Sequence, residues 1–504
     1  LLSRGLGDVY KRQAKYIASL PEGKERGVAI GYDNRHMSYK FAIESAKVLA
    51  TYGIKSYIFE SLRPTPELSF AVRYLKCAGG IMITASHNPK EHNGYKVYDD
   101  TGCQLLPGAA DQVVQYVNEV EDELNIKVFS DEEAYPYMTW IGEEVDEAYY
   151  KEVMAIEVNP GMDKSDFKIV FSPQHGTSNV AVRTCLTRLG YDLVPVLAQC
   201  APDPDFSNTK SPNPEVPASY ELAIKKAKEV DADVVVITDP DGDRLGVVAK
   251  HNGEYVLMSG NQSAAVYLEY ILSQMKEKGT LPDNAVMYNT IVTSDLGELV
   301  ARSYGVDVEK TLTGFKFIGD KIRKYEQTHE KTFVFGYEES YGCVIKDFVR
   351  DKDAVQAVLT AAEAGNFYKK QGKDLVDVLN ELYAKHGTFK GTQIALSKAG
   401  AAGAARIKEI MDNLRKDAPQ EIGGVKVVKV EDYGNSTCSD GTTIQLPKSN
   451  VLKYYLEDGS WIAARPSGTE PKCKFYFSIK GSDADDAASK TEVFHKAMME
   501  IIGE

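Results

Sequence analysis

The sequence predicts an α/β protein built as three successive β-α-β sheet domains followed by a smaller α+β domain. Three observations lead there. Short, β-prone apolar runs alternate with helical stretches in the same order three times, which implies mixed, largely parallel sheets covered by helices. The 504 residues exceed what one hydrophobic core can use, so at roughly 100–150 residues per domain three to five domains are expected. Beyond Thr388 the order changes to strands clustered between two helices, the pattern of a separate α+β domain.

Residues 1–13 show neither clean periodicity nor a starting methionine; they resemble a translated sequencing-adapter scar and are set outside the fold. The first domain then covers 14–160. Val28–Gly31 reads as a strand, Ser38 as the N-cap of a helix through Ala50, and Gly53 as its stop. A strand near Tyr57-Ile58, the Arg63–Pro66 turn, a helix ending before Gly79 and the strand Ile81–Ile83 complete the series. The second domain, 161–284, repeats it with Lys168–Phe171, a helix ending at Gly190, Leu193–Val196, a helix near Ser219–Glu229 and Val234–Ile237. In the third, 285–387, the strands are Val286–Thr293, Val306–Leu312 and Thr332–Phe335. One helix there opens at Ser294 and closes at Gly305, a second follows Thr313-Gly314, and two more span about 354–370 and 375–385. The fourth domain, 388–504, holds helices near Ala404–Leu414 and from Ala487, with strands at Val425–Val430 and Trp461–Ala464.

A formal charge of −14 argues against a broad nucleic-acid surface, which needs a basic face to displace counterions. An anionic ligand would need a local basic island, for which Arg35, Lys96, Lys316, Arg465 and Lys474 are the loop-borne candidates. Seven widely spaced cysteines without a Cys-x-x-Cys read as reduced structural thiols. No apolar run reaches the roughly 20 residues of a membrane span, so a cytoplasmic location without membrane partners is expected.

Four loops carry chemistry. In Thr84-Ala-Ser-His-Asn-Pro89 a strand delivers Ser86 onto a loop where His87 and the nearby Lys96 could move protons. Asp239-Pro-Asp-Gly-Asp-Arg244 follows a strand, and carboxylates at Asp239, Asp241 and Asp243 can converge on a hard cation such as Mg²⁺. An EF-hand is excluded, because Arg244 stands where its glycine is required and Lys250 where its terminal glutamate is required. In Gly336–Gly342, Glu338 and Ser340 set a carboxylate and a hydroxyl two residues apart, able to bond two neighbouring hydroxyls of a ligand, although by itself the segment would pass as an ordinary acidic loop; Thr313-Gly314-Phe-Lys316 is a second polar segment of this kind. Arg465-Pro-Ser-Gly-Thr469 combines a guanidinium, the Ser467 and Thr469 hydroxyls and Gly468 backbone toward an anion, with Lys474 on the next strand.

The order Thr-Ala-Ser-His-Asn-Pro-Lys-x-x-Asn-Gly-Tyr-Lys resembles the phosphoserine loop of the α-D-phosphohexomutase family, and the other three loops resemble its metal, sugar and phosphate loops in family order. The segment Lys90–Tyr98 looks most like the branch of bacterial phosphoglucomutases and phosphoglucomutase-2/phosphopentomutase-like proteins. The resemblance implies three domains of phosphoglucomutase type and a C-terminal domain like the TATA-binding protein. It implies a reversible phosphoryl shift between C1 and C6 of glucose, through phosphorylated Ser86 and glucose 1,6-bisphosphate, with mannose or pentose phosphates as alternative substrates. It further implies Mg²⁺ on Asp239, Asp241, Asp243 and Ser86. Arg244, the Thr313–Lys316 loop, Glu338 and Ser340 would face the phosphosugar, while Arg465, Ser467, Gly468, Thr469 and Lys474 would hold the distal phosphate. A phosphatase or a non-catalytic phosphosugar sensor are the rival readings, and a monomer or weak homo-oligomer is expected. Phosphohexomutases begin with a strand and a Gly-x-Arg-Gly-type loop that is not found before Ala14, so a longer native amino end is expected as well.

Overall fold

A computed structural model describes residues 2–115, 128–468 and 470–504. The chain divides into two compact units, Leu1–Tyr288 with Gly314–Asp377, and Asn289–Thr313 with Val378–Glu504.

The first unit opens with a helix, α1 (Leu2–Ser19), so residues set aside at the sequence level lie in a regular element. Tyr10, Ala14 and Ile17 are buried with Ala42, Ala46 and Leu49 of the helix Ser38–Thr51. Gln13 donates to the Gly80 carbonyl and accepts from the Tyr95 hydroxyl. The first sheet contains β1 (Val28–Tyr32), β2 (Ser56–Phe59), β3 (Gly79–Ile83), β4 (Tyr95–Tyr98) and β5 (Met138–Ile141) in the order β4-β3-β1-β2-β5. All neighbours are parallel except β3 and β4. β1 and β3 are buried along their whole length, which is why their sequences are continuously apolar instead of alternating.

Ser38 is not the helix cap its position suggested. Met37 occupies the capping position with φ 69° and no side-chain bond, while the Ser38 hydroxyl donates to Asp33 Oδ1 at 2.6 Å. A buried carboxylate has outcompeted the helix end for that hydroxyl.

The second sheet is β6 (Lys168–Ser172), β7 (Asp192–Pro195), β8 (Val234–Thr238), β9 (Leu245–His251) and β10 (Glu254–Met258), in the order β10-β9-β8-β6-β7. The β9–β10 hairpin, unforeseen in the sequence, turns at Asn252 and Gly253, both at positive φ as a two-residue hairpin turn demands. The helix Gly260–Glu277 was also missed. Eleven of its residues are buried, so it presents no clean polar stripe, although Ser259 and Gln262 form a reciprocal capping box at its start. The third sheet places β11 (Ala285–Thr290) parallel to β13 (Thr332–Glu338), which pairs antiparallel with β14 (Gly342–Val344). β12 (Asp307–Thr311) lies in the second unit.

In the second unit an antiparallel sheet contains β15 (Thr388–Ser397), β16 (Glu421–Ile422), β17 (Val425–Asp432), β18 (Thr437–Cys438), β19 (Leu452–Leu456), β20 (Trp461–Pro466) and β21 (Lys472–Gly481). Their order is β15-β21-β20-β19-β17-β16, with β18 on β17. The helices Gly400–Lys416 and Ala484–Ile502 bury Ile407, Met411, Phe494 and Met498 against Tyr454, Ile462, Phe475 and Phe477. This is the α+β grammar expected of the tail.

All seven cysteines are free thiols and six are buried. Among the described residues no helix is long and apolar enough to cross a membrane.

Candidate active site

β3 ends at Ile83, and the chain leaves it through Thr84 to place Ser86 at φ 54°, a left-handed conformation that a serine adopts only when its surroundings hold it. Thr84 helps to do so, its Oγ1 accepting the Ser86 N–H at 2.8 Å. Gly94 passes so close that a Cβ there would lie 2.6 Å from the Thr84 carbonyl, and this explains the glycine in Asn-Gly-Tyr.

The main support of the loop is Arg35. Its side-chain N–H groups reach the carbonyls of Ser86 and Asn88 at 2.6 Å, Pro89 at 2.8 Å and His92 at 3.1 Å, and Nε reaches Asp33 Oδ2 at 3.1 Å. All five guanidinium donors are therefore engaged. The expectation that Arg35 belongs to a local basic island for an anion is corrected: it is buried, and its charge is spent on Asp33 and on four backbone dipoles of the serine loop.

Asp239, Asp241 and Asp243 follow β8 and are buried, with carboxylate oxygens within 4.8 Å of one another. Asp239 Oδ1 accepts the N–H groups of Asp243 and Arg244, and Asp239 Oδ2 accepts the Ser86 hydroxyl at 3.0 Å. Asp241 Oδ2 accepts from Thr65 Oγ1 and Lys96 Nζ, each at 2.8 Å. Asp241 Oδ1 and Asp243 Oδ1 are buried without a hydrogen-bond partner, and Arg244 Nε comes only to 4.0 Å of the latter. Two orphaned carboxylate oxygens in a cluster of three suit a hard divalent cation with oxygen ligands. Burial and the two neighbouring aspartates push the Asp239 carboxyl up.

His87 Nδ1 lies 3.4 Å from Ser86 Oγ. Burial, reinforced by Arg244 and only partly opposed by Asp243 and Asp241, pushes His87 down to about 3, so the imidazole is neutral. Burial alone would favour a neutral Lys96, but Asp241, Asp243 and Asp351 outweigh it and hold the ammonium charged. The two proton-handling candidates thus differ in state, one neutral and the other a fixed cation.

Glu338 closes β13, and its Oε1 accepts the Gly314 N–H at 2.9 Å. Lys352 Nζ lies 3.6 Å from Glu338 Oε2 and 3.5 Å from Asp243 Oδ2, which links the loop after β13 to the acidic loop. A Cβ on Gly342 would lie 2.1 Å from Lys352 Cδ, so the lysine passes only because that residue is glycine. Lys352 was not found from the sequence; its one signal is the charged run Arg350–Asp353 ahead of the helix Ala354–Lys369. Lys316 Nζ sits over the Phe317 ring, 5.5 Å from its centroid. Arg244 pairs with Glu215 at 2.8 Å, and Ser340 lies half-buried between β13 and β14. A cleft of about 530 Å³ opens beside the serine loop, lined by His87, Asn88, Lys90, Phe206, Ser211 and Asn213 among others.

Thr313 and the fourth loop belong to the second unit. There Arg465 at the end of β20 faces Lys474 of β21 across the ladder, and Arg465 Nη1 donates to the Tyr476 hydroxyl at 3.2 Å. Like charges in direct opposition are unfavourable alone and favourable around an anion. Ser467 and Gly468 are exposed, and Thr469 lies outside the described residues.

A serine hydroxyl bonded into a three-carboxylate cluster, beside a fixed ammonium, is an arrangement for phosphoryl transfer. The chain belongs to the phosphoglucomutase/phosphomannomutase family: the models of α/β/α domains I, II and III match residues 7–124, 147–253 and 259–386, and that of the C-terminal domain matches 405–496. It is 40% identical over 471 residues to a phosphoglucomutase of Staphylococcus epidermidis, covering 92% of this chain and 85% of that protein. A phosphoglucomutase of Staphylococcus aureus is 40% identical over 470 residues, at 92% and 84% coverage. Among solved structures, the parafusin phosphoprotein of Paramecium, a phosphoglucomutase, superposes with TM-score 0.72 at 20% identity over 100% of this chain and 92% of that one. A phosphoglucomutase/phosphomannomutase family protein of Burkholderia thailandensis gives TM-score 0.71 at 19% identity, covering 99% and 93%. The chain is accordingly an enzyme of the mutase class, with the four-domain architecture of that family.

Proposed function

We propose that this enzyme interconverts glucose 1-phosphate and glucose 6-phosphate through a phosphoserine at Ser86. The observation that carries the reading is the Ser86 hydroxyl bonded to Asp239 inside the carboxylate cluster, in a chain 40% identical to phosphoglucomutases. Phosphorylated Ser86 donates its phosphoryl group to the free C6 or C1 hydroxyl of the bound hexose phosphate. The O–P bond to Ser86 breaks as the bond to the sugar oxygen forms, and the proton of the sugar hydroxyl ends on Ser86 Oγ, with His87 and Lys96 the acid/base candidates at the transfer point. The product is glucose 1,6-bisphosphate, which reorients and returns its other phosphoryl group to Ser86.

Asp239, Asp241 and Asp243 would hold Mg²⁺, which supplies Lewis-acid neutralisation of the phosphoryl oxygens. An N-acetylphosphoglucosamine mutase of Aspergillus fumigatus that shares the fold, with TM-score 0.51, is described in complex with its phosphosugar and magnesium. Lys96 and Lys352 add fixed positive charge at the same place, Glu338 and Ser340 hold sugar hydroxyls, and Arg465, Ser467, Thr469 and Lys474 hold the phosphate that is not moving. The domain limits 14–160, 161–284, 285–387 and 388–504 belong to this reading, each contributing one of the four loops.

A coupled assay with glucose, mannose and ribose 1-phosphates, Mg²⁺ and a trace of glucose 1,6-bisphosphate tests it. The expected result is fastest isomerisation of glucose 1-phosphate, dependent on the bisphosphate and without phosphate release. Net phosphate release, or preference for another sugar, would overturn the assignment.

A further inference from the structure

Lys453 lies on β19 with 1% of its surface exposed, a placement an ammonium tolerates only when it is paired. Its Nζ donates to the Ile291 carbonyl at 2.8 Å and sits 4.2 Å from the ring centroid of Trp461 and 4.8 Å from that of Tyr455. Trp461, on β20, sends its indole N–H to Asp295 Oδ1 at 3.3 Å. The sheet therefore holds the segment 289–313 at two points. From Ile291 the connection continues: its N–H donates to the Thr311 carbonyl at 3.0 Å, two residues before Thr313. On the other side, Trp461 and Arg465 share strand β20.

We propose that Lys453 is a positioning residue for the phosphosugar: by holding Ile291, and through it Thr311, it fixes the loop that presents Thr313 in one body with the loop that presents Arg465. This rests on the reading of Thr313 and Arg465 as substrate contacts. The chemistry favours that role over simple stabilisation. A methionine would fill the aromatic box without a desolvation cost, whereas only a donor reaches the carbonyl and sets the register of the two segments. Burial, with Lys310 acting in the same sense and Asp295, Glu431 and Glu298 opposing, pushes Lys453 down to about 7, in keeping with a dry box. Because Thr313 and Arg465 would grip ground state and transition state alike, loosening their relation should weaken binding more than turnover.

The test is Lys453→Met in the full chain, compared with the parent by amide hydrogen exchange and by steady-state kinetics with glucose 1-phosphate. The expected result is exchange at Ile291–Thr313 faster by about tenfold or more, KM raised about tenfold and kcat kept within about twofold. Unchanged exchange overturns the latch; faster exchange with unchanged KM overturns its role in binding. If Lys453→Met does not fold, Trp461→Phe, which deletes the bond to Asp295 and weakens the box, is held to the same two outcomes. A parent chain without mutase activity would sink the functional reading, while exchange still decides the latch and calorimetric Kd values for glucose 1-phosphate decide the positioning.

Discussion

Ser86 Oγ donates to Asp239 Oδ2 at 3.0 Å across 153 residues of sequence. The serine loop and the acidic loop, each at the carboxyl end of a strand in its own sheet, are thus joined at the atom where phosphoryl transfer is proposed. A charge held on the aspartate cluster acts directly on whatever the serine carries.

Ser86→Ala should abolish the phosphoenzyme and lower kcat by at least about 10³-fold, because it removes the oxygen proposed to carry the phosphoryl group. Phosphopeptide mapping beside the kinetic assay checks this. Full turnover in the alanine variant would exclude a covalent scheme through Ser86.

Arg35→Met should release four carbonyls of the serine loop and leave Asp33 without its cation. We expect a loss of about 3–5 kcal/mol in denaturant unfolding, the usual cost of breaking a buried pair. Turnover should fall about 10²-fold through misplacement of Ser86. A variant of normal stability and activity would show that the loop holds its left-handed serine without the guanidinium.

Chelation should remove activity and Mg²⁺ should restore it, since Asp241 Oδ1 and Asp243 Oδ1 are buried without a hydrogen bond. Asp241→Asn should weaken Mg²⁺ binding in calorimetry and lower kcat together. Undiminished turnover in a metal-stripped preparation would refute the metal assignment.

Glu338→Gln should change the ranking of glucose, mannose and ribose phosphates, because it alters the group proposed to hold sugar hydroxyls and weakens the tie to Lys352. Arg465→Ala should instead weaken all three by a similar factor, about tenfold or more, since a phosphate contact does not sense sugar stereochemistry. Parallel kcat/KM measurements separate the two patterns, and a ranking change from Arg465→Ala would reverse the assignments.

Lys453 gives a pH test. Burial first, then Lys310, lowers it in the folded chain to about 7 from an ordinary 10.5. Between those values the unfolded chain binds the extra proton, so the stability of the parent should rise with pH relative to Lys453→Met. The penalty is full below about pH 7 and gone above about 10.5, on the order of a few kcal/mol across the window. Differential unfolding curves at several pH values check the sign, and a gap independent of pH would mean that Lys453 titrates normally.

The four loops and the order of the sheets were legible in the sequence because their signals are local. A buried parallel strand is a run of apolar residues, the polar turn at its carboxyl end follows within a few positions, and Asp239, Asp241 and Asp243 converge simply by alternating along one turn. Other facts were decided only in three dimensions. Arg35 looked like a free cation, and its five partners, spread up to 57 residues away, make it a brace for the serine loop. Lys352 reads as one more charge before a helix until folding sets it between Asp243 and Glu338. The segment 289–313 reads as part of the third sheet domain, and the Lys453 contact 162 residues away ties it to the last one. Each of these is a side chain satisfying a buried charge or carbonyl, and such a group takes its partner from whatever the packing brings within about 3 Å, a distance that no spacing along the chain encodes.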